Sequence, residues 1–409
     1  MRLFTRSFGF AARSLRRQPA RASVGILGIA AVGALLLDML LLSRGLVVSF
    51  RDLLDGIGFD VRVLAGELGP IGGPRLQDAS TIVGQLAALP EVAEAVALRM
   101  ADGEAVVDGR GVRFSLMGMD VRTRRPWTLE SGRDLEATAD QRRFDANTPA
   151  DLIVNKRLAA ALGVAPGAVV SVRATCGADQ SAMPAVPFRL AGVAEFPFDT
   201  ESQMSAVAPR AAVRAACGGG DDTADLVLIA SREGSGPDGA VSAIHRRRPD
   251  LHPATNEEIV ARMQQQGFSY FRQISTVLST ITMLFGFMLI AVLLTVSVNQ
   301  RLAEIAALRA VGFSSARVAA DVLCQSALLV GTGGVLALPL GVGLSVWLDA
   351  ILKKMPGIPI AMHFFVFEPR ALAWHGALLC VTAVLAAAYP MWLVAKLPIA
   401  STLRNEVVS

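Results

Sequence analysis

Four runs of apolar residues, each long enough to cross a bilayer as a helix, punctuate this chain unevenly. One lies near the N-terminus, and three follow in close succession after a long polar-mixed stretch. Hydrocarbon offers no water to backbone N–H and C=O groups, so a segment within it must be a helix of about 20 apolar residues or part of a closed barrel. The first run goes from Ala22 through Leu37, meets Asp38 and continues to Leu42. The second is free of charge from Ile274 to Val298, the third runs from Val322 to Leu348, and the fourth from Ala371 to Ala395. Composition agrees: 53% hydrophobic against 18% charged residues is a balance that soluble domains seldom show.

Six arginines (Arg2, Arg6, Arg13, Arg16, Arg17, Arg21) precede the first run, with no acidic residue among them. A cleaved signal peptide begins in the same way, but this run exceeds a usual h-region and no A-x-A site follows it, so it reads as a retained anchor. The positive-inside rule then places the N-terminus in the cytoplasm, and four spans return the C-terminus there. The stretch from Arg44 to Gln273 lies outside on this reading, the loop from Arg301 to Asp321 inside, and the loop from Asp349 to Arg370 outside.

The long outer stretch is patterned as a domain. Apolar alternation predicts strands over 60–64 and 168–173, and short apolar runs predict others over 188–193 and 224–230. Helical periodicity predicts helices over 81–89, stopped by Pro90, over 153–162, closed by Gly163 as a left-handed cap, and over 239–248. Strands and helices interleave, so one or two α+β lobes are expected. From Glu257 to Ser279 only Gly267 interrupts the helix formers; a continuous helix projecting from the membrane is expected, with a flexible tether at Gly267 as the alternative. Cys176 and Cys217 lie in this outer domain, where an oxidising compartment permits a disulfide; two unpaired, partly buried thiols are the alternative.

Catalytic chemistry is hard to place. The chain contains no G-x-x-x-x-G-K-[ST] loop and no G-x-S-x-G, so neither a Walker-type phosphate cradle nor a nucleophile elbow is available. Its four histidines, His245, His252, His363 and His375, show no zinc-site spacing. No enzyme, catalytic residue, metal site or cofactor site is expected. The run His245-Arg246-Arg247-Arg248 ends a predicted helix, where cations suit the macrodipole, so it reads as a solvated helix end and not as a nucleic-acid patch.

Two features inside the spans stand out. Asp38 is a carboxylate in an apolar run, which makes it a functional candidate by default. About 1.5 Å of rise per residue from Ala22 puts it roughly 24 Å in, near the outer boundary of a core about 30 Å thick, where snorkelling to the interface is the plainer expectation. In the third span Gly333, Ala337, Gly341 and Ser345 recur every four residues. Such a small-residue stripe lets helices approach closely, within one chain or across a dimer, and Pro339 among them should kink the helix.

The inner loop is the sharpest local signal. Leu302, Ile305, Ala306 and Leu308 trace a helical apolar face, Arg301 and Glu304 stand one turn apart, Gly312 can cap, and Ser314 or Ser315 can start the next helix. A short amphipathic helix at the cytoplasmic surface is expected, as an interfacial connector or a docking element.

The motif R-x-x-E-I-A-x-L-R-A-x-G-x-S in this loop, the one-plus-three order of spans, the basic Arg13-Ser14-Leu15-Arg16-Arg17, the outer-domain run Asn155 to Gly163 with Pro166-Gly167, and the ending Lys396 to Arg404 together resemble the FtsX-like, MacB-like permease family of ABC transporters. The resemblance implies a permease subunit that relays movement of a cytoplasmic ATPase to an extracytoplasmic domain. On that reading Arg301, Glu304, Ile305, Leu308, Arg309 and Gly312 form the ATPase-coupling segment, and ATP and Mg are bound by the partner ATPase. A second permease subunit, identical or different, and a periplasmic adaptor are further implied partners, beside membrane lipids; no nucleic acid is.

The expected fold is therefore a polytopic α-helical membrane protein with four transmembrane helices (1+3) and a large extracytoplasmic α+β domain between helices 1 and 2. Its parts are a basic N-terminal segment (1–21), span 1 (22–46), the α+β domain (47–256), stalk and span 2 (257–298), coupling segment (299–321), span 3 (322–348), outer loop (349–370), span 4 (371–395) and tail (396–409). The expected cargo is a lipoprotein, lipid, peptide or other amphiphile. The competing readings are a transmembrane regulator of an extracytoplasmic hydrolase and a membrane-anchored sensor or scaffold without an ATPase.

Overall fold

The structure is a computed structural model and describes residues 13, 16, 19–66, 73–107, 110–136, 148–176, 185–266, 269–299, 315–355, 358–366 and 369–396. The chain falls into two compact units. One comprises Met1–Leu46, Phe268–Ile351 and His363–Ser409, the other Val47–Gly267 and Leu352–Met362.

Helix α1 (Pro19–Gly56) is 38 residues long, about 57 Å at 1.5 Å per residue and well beyond a hydrocarbon core of about 30 Å. The expected span ends at residue 46. The helix continues because Val47–Asp55 contains neither proline nor glycine, and it stops where Gly56 and then Gly58, at φ 79°, allow the chain to turn.

The α+β unit follows as β1 (Val61–Leu64), α2 (Ala79–Ala87), β2 (Val92–Val107), β3 (Arg110–Met119), β4 (Thr128–Gly132), β5 (Ala150–Val154), α3 (Lys156–Leu162), β6 (Val169–Thr175), β7 (Val186–Glu195), β8 (Ser205–Ala208), α4 (Arg210–Ala216), β9 (Leu226–Ser231), α5 (Gly236–Arg247), β10 (His252–Thr255) and α6 (Asn256–Gln266). All ten strands join one sheet in the order β10-β1-β9-β2-β3-β8-β5-β7-β4, with β6 across β2 and β7. At one end the order β10-β1-β9-β2 is antiparallel throughout. With α2 after β1 and α5 after β9, this is the split β-α-β arrangement of ferredoxin-like folds. The second lobe, β3 to α4, is inserted between β2 and β9 of the first.

Each lobe has its own core. In the first, Val61, Val63, Val227 and Ile229 meet Ile82 and Leu86 of α2 and Ile244 of α5. In the second, Leu152, Val154, Leu158, Leu162, Val172, Phe188 and Leu190 pack together. Between the lobes Leu64, Val96, Leu226 and Leu228 turn to the opposite face, against Phe59, Trp127 and Phe196. A strand covered on both faces is apolar at every position, which is why 226–230 reads as a continuous apolar run.

The helix expected over 153–162 starts later. Ile153 and Val154 belong to β5, held by β7 and β8. Asn155 then caps α3, its side chain accepting from the Leu158 N–H, and Gly163 closes the helix at φ 63°. Periodicity alone cannot separate two strand residues from the helix that follows them.

Cys176, just after β6, and Cys217, just after α4, are bonded as a disulfide with Cα atoms 5.6 Å apart and a sequence separation of 41. Closing a loop of that length restricts the unfolded chain by about 4 kcal/mol in the chain-entropy model. Replacing both cysteines by serine is expected to lower the unfolding free energy of the α+β unit by about 2–4 kcal/mol, measured by urea unfolding of the full chain followed by hydrogen exchange in lobe two. An unchanged midpoint would count against this contribution.

Three long helices complete the chain: α7 (Ser269–Asn299), α8 (Ser315–Leu352) and α9 (Pro369–Lys396). The continuous helix expected over 257–279 is described as α6 and α7 on either side of 267–268, which lie outside the described residues. α8 remains helical through Pro339. By length and composition, Ala22–Gly56 and Leu323–Leu352 can each cross a membrane, while Thr276–Val292 and Pro369–Leu385 are shorter apolar stretches. Leu27, Leu284, Phe285, Met288, Val335, Trp347 and Trp374 are exposed, Val335 to 68%. So much exposed apolar surface on long helices marks a lipid-facing unit.

Candidate functional site

The small-residue stripe of α8 lies against α1. A methyl group on Gly333 would sit 2.7 Å from Ile29 Cγ2 and 3.1 Å from the Ile26 carbonyl oxygen; one on Gly33 would sit 2.8 Å from Ala337 Cβ; one on Gly341, 2.9 Å from Leu37 Cδ2 and 3.1 Å from the Ala34 oxygen. One turn further, Ser345 Oγ donates to Asp38 Oδ1 at 2.6 Å. Removing side-chain bulk brings the backbones together, and the closeness lets a short hydroxyl reach the carboxylate.

Asp38 is 2% exposed, so it does not snorkel. Packing against α8 is what encloses it, and a depth count along one helix contains no information about neighbours. His375 of α9 lies at the same seam, its Cε1 3.6 Å from the methyl position of Gly33. It is 3% exposed and neither ring nitrogen has a hydrogen-bond partner among the described residues. Further along, the backbone of Gly45 presses on the Phe364 carbonyl, and Asp349 accepts from the Phe364 N–H at 2.7 Å, tying the end of α8 to the segment before α9.

These contacts also fix helix directions. From Gly333 against Ile29 to Ser345 against Asp38, numbers rise together, so α1 and α8 run parallel. Gly28 meets Leu289 while Gly286 meets Val32, so α7 runs against α1. Ser326 Oγ reaches the Ala383 oxygen while Gly334 meets Leu379, so α9 runs against α8.

A second polar centre lies at the root of the α+β unit, where the chain enters from α1 and leaves through α6. Asn256 Nδ2 donates to Asp55 Oδ1 at 2.7 Å and to the Phe59 oxygen at 3.1 Å, while its own oxygen accepts from Arg62 Nη1. Asp60 accepts from the Ser231 N–H at 2.8 Å and from its hydroxyl. Burial pushes the Arg62 guanidinium down to about 10, with the charges of Asp55 and Asp60 opposing the shift, and Arg62 Nη2 has no partner among the described residues. α6 begins in a capping box: Thr255 Oγ1 accepts from the Glu258 N–H at 3.1 Å, and the Glu258 carboxylate accepts from the Thr255 N–H at 3.2 Å. One residue, Asn256, thus joins the end of the incoming helix to the start of the outgoing one.

The structure therefore brings Gly333, Ala337, Gly341 and Ser345 together with α1, and bonds Cys176 to Cys217. Arg301, Glu304, Ile305, Leu308, Arg309 and Gly312 lie outside the described residues, as do Arg2, Arg6, Arg17 and the tail beyond Lys396. Sequence reasoning missed the root centre. Its signal was Thr255-Asn256-Glu257-Glu258, a T-x-x-E capping box, but nothing along the chain links that motif to Asp55 or Arg62. No group of three or more His, Cys, Asp or Glu side chains among the described residues could hold a metal ion.

No curated protein matches the chain. Among solved structures, the periplasmic region of MacB from Actinobacillus actinomycetemcomitans aligns at 13% identity and a TM-score of 0.38, over 52% of this chain and 95% of that one. The extracellular domain of the noncanonic ABC-type transporter YknZ from Gram-positive bacteria aligns at 13% identity and a TM-score of 0.34, over 48% of this chain and 98% of its own. A family model, FtsX-like permease C-terminal, matches residues 276–399. That match takes in most of α7, all of α8 and α9, and the sequence between them, so this part of the chain is similar to the C-terminal domain of FtsX-like permeases.

Proposed function

We propose that this chain is the permease subunit of an ABC-type transporter of the FtsX/MacB kind, a non-enzymatic membrane component that takes its motor from a separate cytoplasmic ATPase. The observation that carries the reading is the FtsX-like permease match over residues 276–399. The parallel pairing of α1 with α8, and the antiparallel pairing of each with α7 or α9, suits four alternating spans, with both termini in the cytoplasm and the α+β unit outside the inner membrane. On this reading α1 and α6 are two of the chain connections between a moving membrane part and the α+β unit, and Asn256 holds their ends in register. A second permease subunit and a periplasmic adaptor complete the assembly, and the cargo is an amphiphile such as a lipoprotein, lipid or peptide.

The loop of residues 299–321 would then receive the ATPase. Reversing charge at Glu304 and Arg309 (E304R with R309E) is expected to cut stimulation of a co-expressed ATPase by roughly tenfold or more, the usual effect of a broken buried charge contact, while leaving the permease folded in the membrane. Unchanged stimulation, or the absence of any co-purifying ATPase, would refute the reading.

A further inference from the structure

The connection between α8 and α9 touches the α+β unit through a contact that neither the transporter reading nor the family match assigns. Residues Leu352–Met362 belong to the α+β unit by contact. Pro359 forms an antiparallel bridge with Thr200, and the Ile360 N–H donates to the Asp199 oxygen at 2.8 Å. The receiving turn is held rigidly. Asp199 is buried, and its carboxylate accepts from Ser205 Oγ at 2.6 Å and from Asn155 Nδ2 at 2.7 Å. Asn155 Nδ2 also donates to the Gln203 oxygen at 2.8 Å, while the Gln203 N–H donates to the Thr200 oxygen at 3.0 Å. Burial raises the Asp199 carboxyl above the ordinary range, and its two hydrogen bonds oppose that shift.

Among the described residues, the strap's backbone meets the turn at one bridge and one hydrogen bond. Its bridge is isolated, not part of a ladder. The Ile360 side chain is 46% exposed, so at that residue the attachment is made by the backbone; Met362, whose N–H donates to the Pro359 oxygen, is the buried side chain beside it. A rigid receptor facing a lightly attached strand is built to release locally without disturbing the fold around it.

We propose that residues 358–362 are a releasable latch on the Asp199–Gln203 turn, docking the segment between α8 and α9 on the second lobe of the α+β unit. When it is closed, the strap is docked on the second lobe; when it is open, the strap is free of it. The proposal does not rest on the ATPase reading, because the latch is a property of the chain alone.

Hydrogen exchange on the full chain in lipid nanodiscs tests it. The Ile360 amide is expected to be protected yet to exchange at least about a hundredfold faster than the Val154 and Ala206 amides of the neighbouring strands, because local opening is easier than opening the sheet. Ile360→Pro removes the donor and is expected to speed exchange at the Gln203 amide by roughly two- to tenfold, the effect of one net hydrogen bond. Thr200→Cys with Pro359→Cys, oxidised by copper phenanthroline, is expected to cross-link, since paired strand residues lie within disulfide reach, and to slow the Ile360 amide to the rate of Ala206. An Ile360 amide as slow as Ala206 in the unmodified chain would overturn release. An unprotected Ile360 amide, or a cysteine pair that fails to cross-link, would overturn docking.

Discussion

Gly333→Val is expected to cost the helical unit about 1–3 kcal/mol or more and to cut the yield of monodisperse protein extracted in mild detergent. A β-carbon there meets Ile29 Cγ2 at 2.7 Å and, less avoidably, the Ile26 carbonyl oxygen at 3.1 Å. Side chains can rotate away from an intruder, whereas a helix backbone can only move as a whole. α1 and α8 would separate, and Ser345 would lose its reach to Asp38. Controls lie on the same helix: Gly331 and Gly343 have nothing within 4 Å of a β-carbon, so alanine at either is expected to be neutral or to stabilise by up to about 1 kcal/mol through helix propensity. Equal effects at Gly333 and Gly331, in thermal unfolding of the nanodisc-embedded chain, would show that the α1–α8 seam is not where these helices are held.

The second large effect is expected at the root of the α+β unit. Asn256→Ala removes two hydrogen bonds, to Asp55 and the Phe59 oxygen, and takes from Arg62 its Asn256 acceptor. Arg62 already has one nitrogen without a partner among the described residues, and breaking a buried polar pair while its charge stays in place costs about 3–5 kcal/mol. The expected outcome is destabilisation by about 3 kcal/mol, read as a lower chemical-unfolding midpoint. Adding Arg62→Met should recover part of the loss, because the stranded charge goes with the side chain. Strict additivity of the two substitutions in a double-mutant cycle would show that the residues are not coupled.

Much of the plan was legible one residue type at a time. Apolar length marked α1 and α8 as long enough to cross a membrane, alternation marked β1 and β6, and the four-residue recurrence of Gly333, Ala337, Gly341 and Ser345 marked a packing face. The β2–β3 hairpin escaped because Arg99, Asp102, Glu104 and Arg113 interrupt its alternation. Its stability comes from a ten-pair ladder with Leu98 opposite Met119 at one end, a long-range property. Asp38 was legible as unusual and misleading as to environment. Its position along α1 is local, but its enclosure depends on a serine some 300 residues away.

The sequence by itself determined what each segment could be: which runs suit lipid, where helices cap, which face of α8 is small, and that no Walker-type phosphate loop is present. Local physics suffices for those, since hydrophobic length, backbone capping and side-chain volume act within a few turns. Only the tertiary structure decided the pairings: the stripe against α1, Asn256 between Asp55 and Arg62, the second lobe threaded into the first, and residues 358–362 on the Asp199 turn. Each joins groups far apart in the chain, and such contacts exist only after the chain has paid the entropy of closing the loop between them.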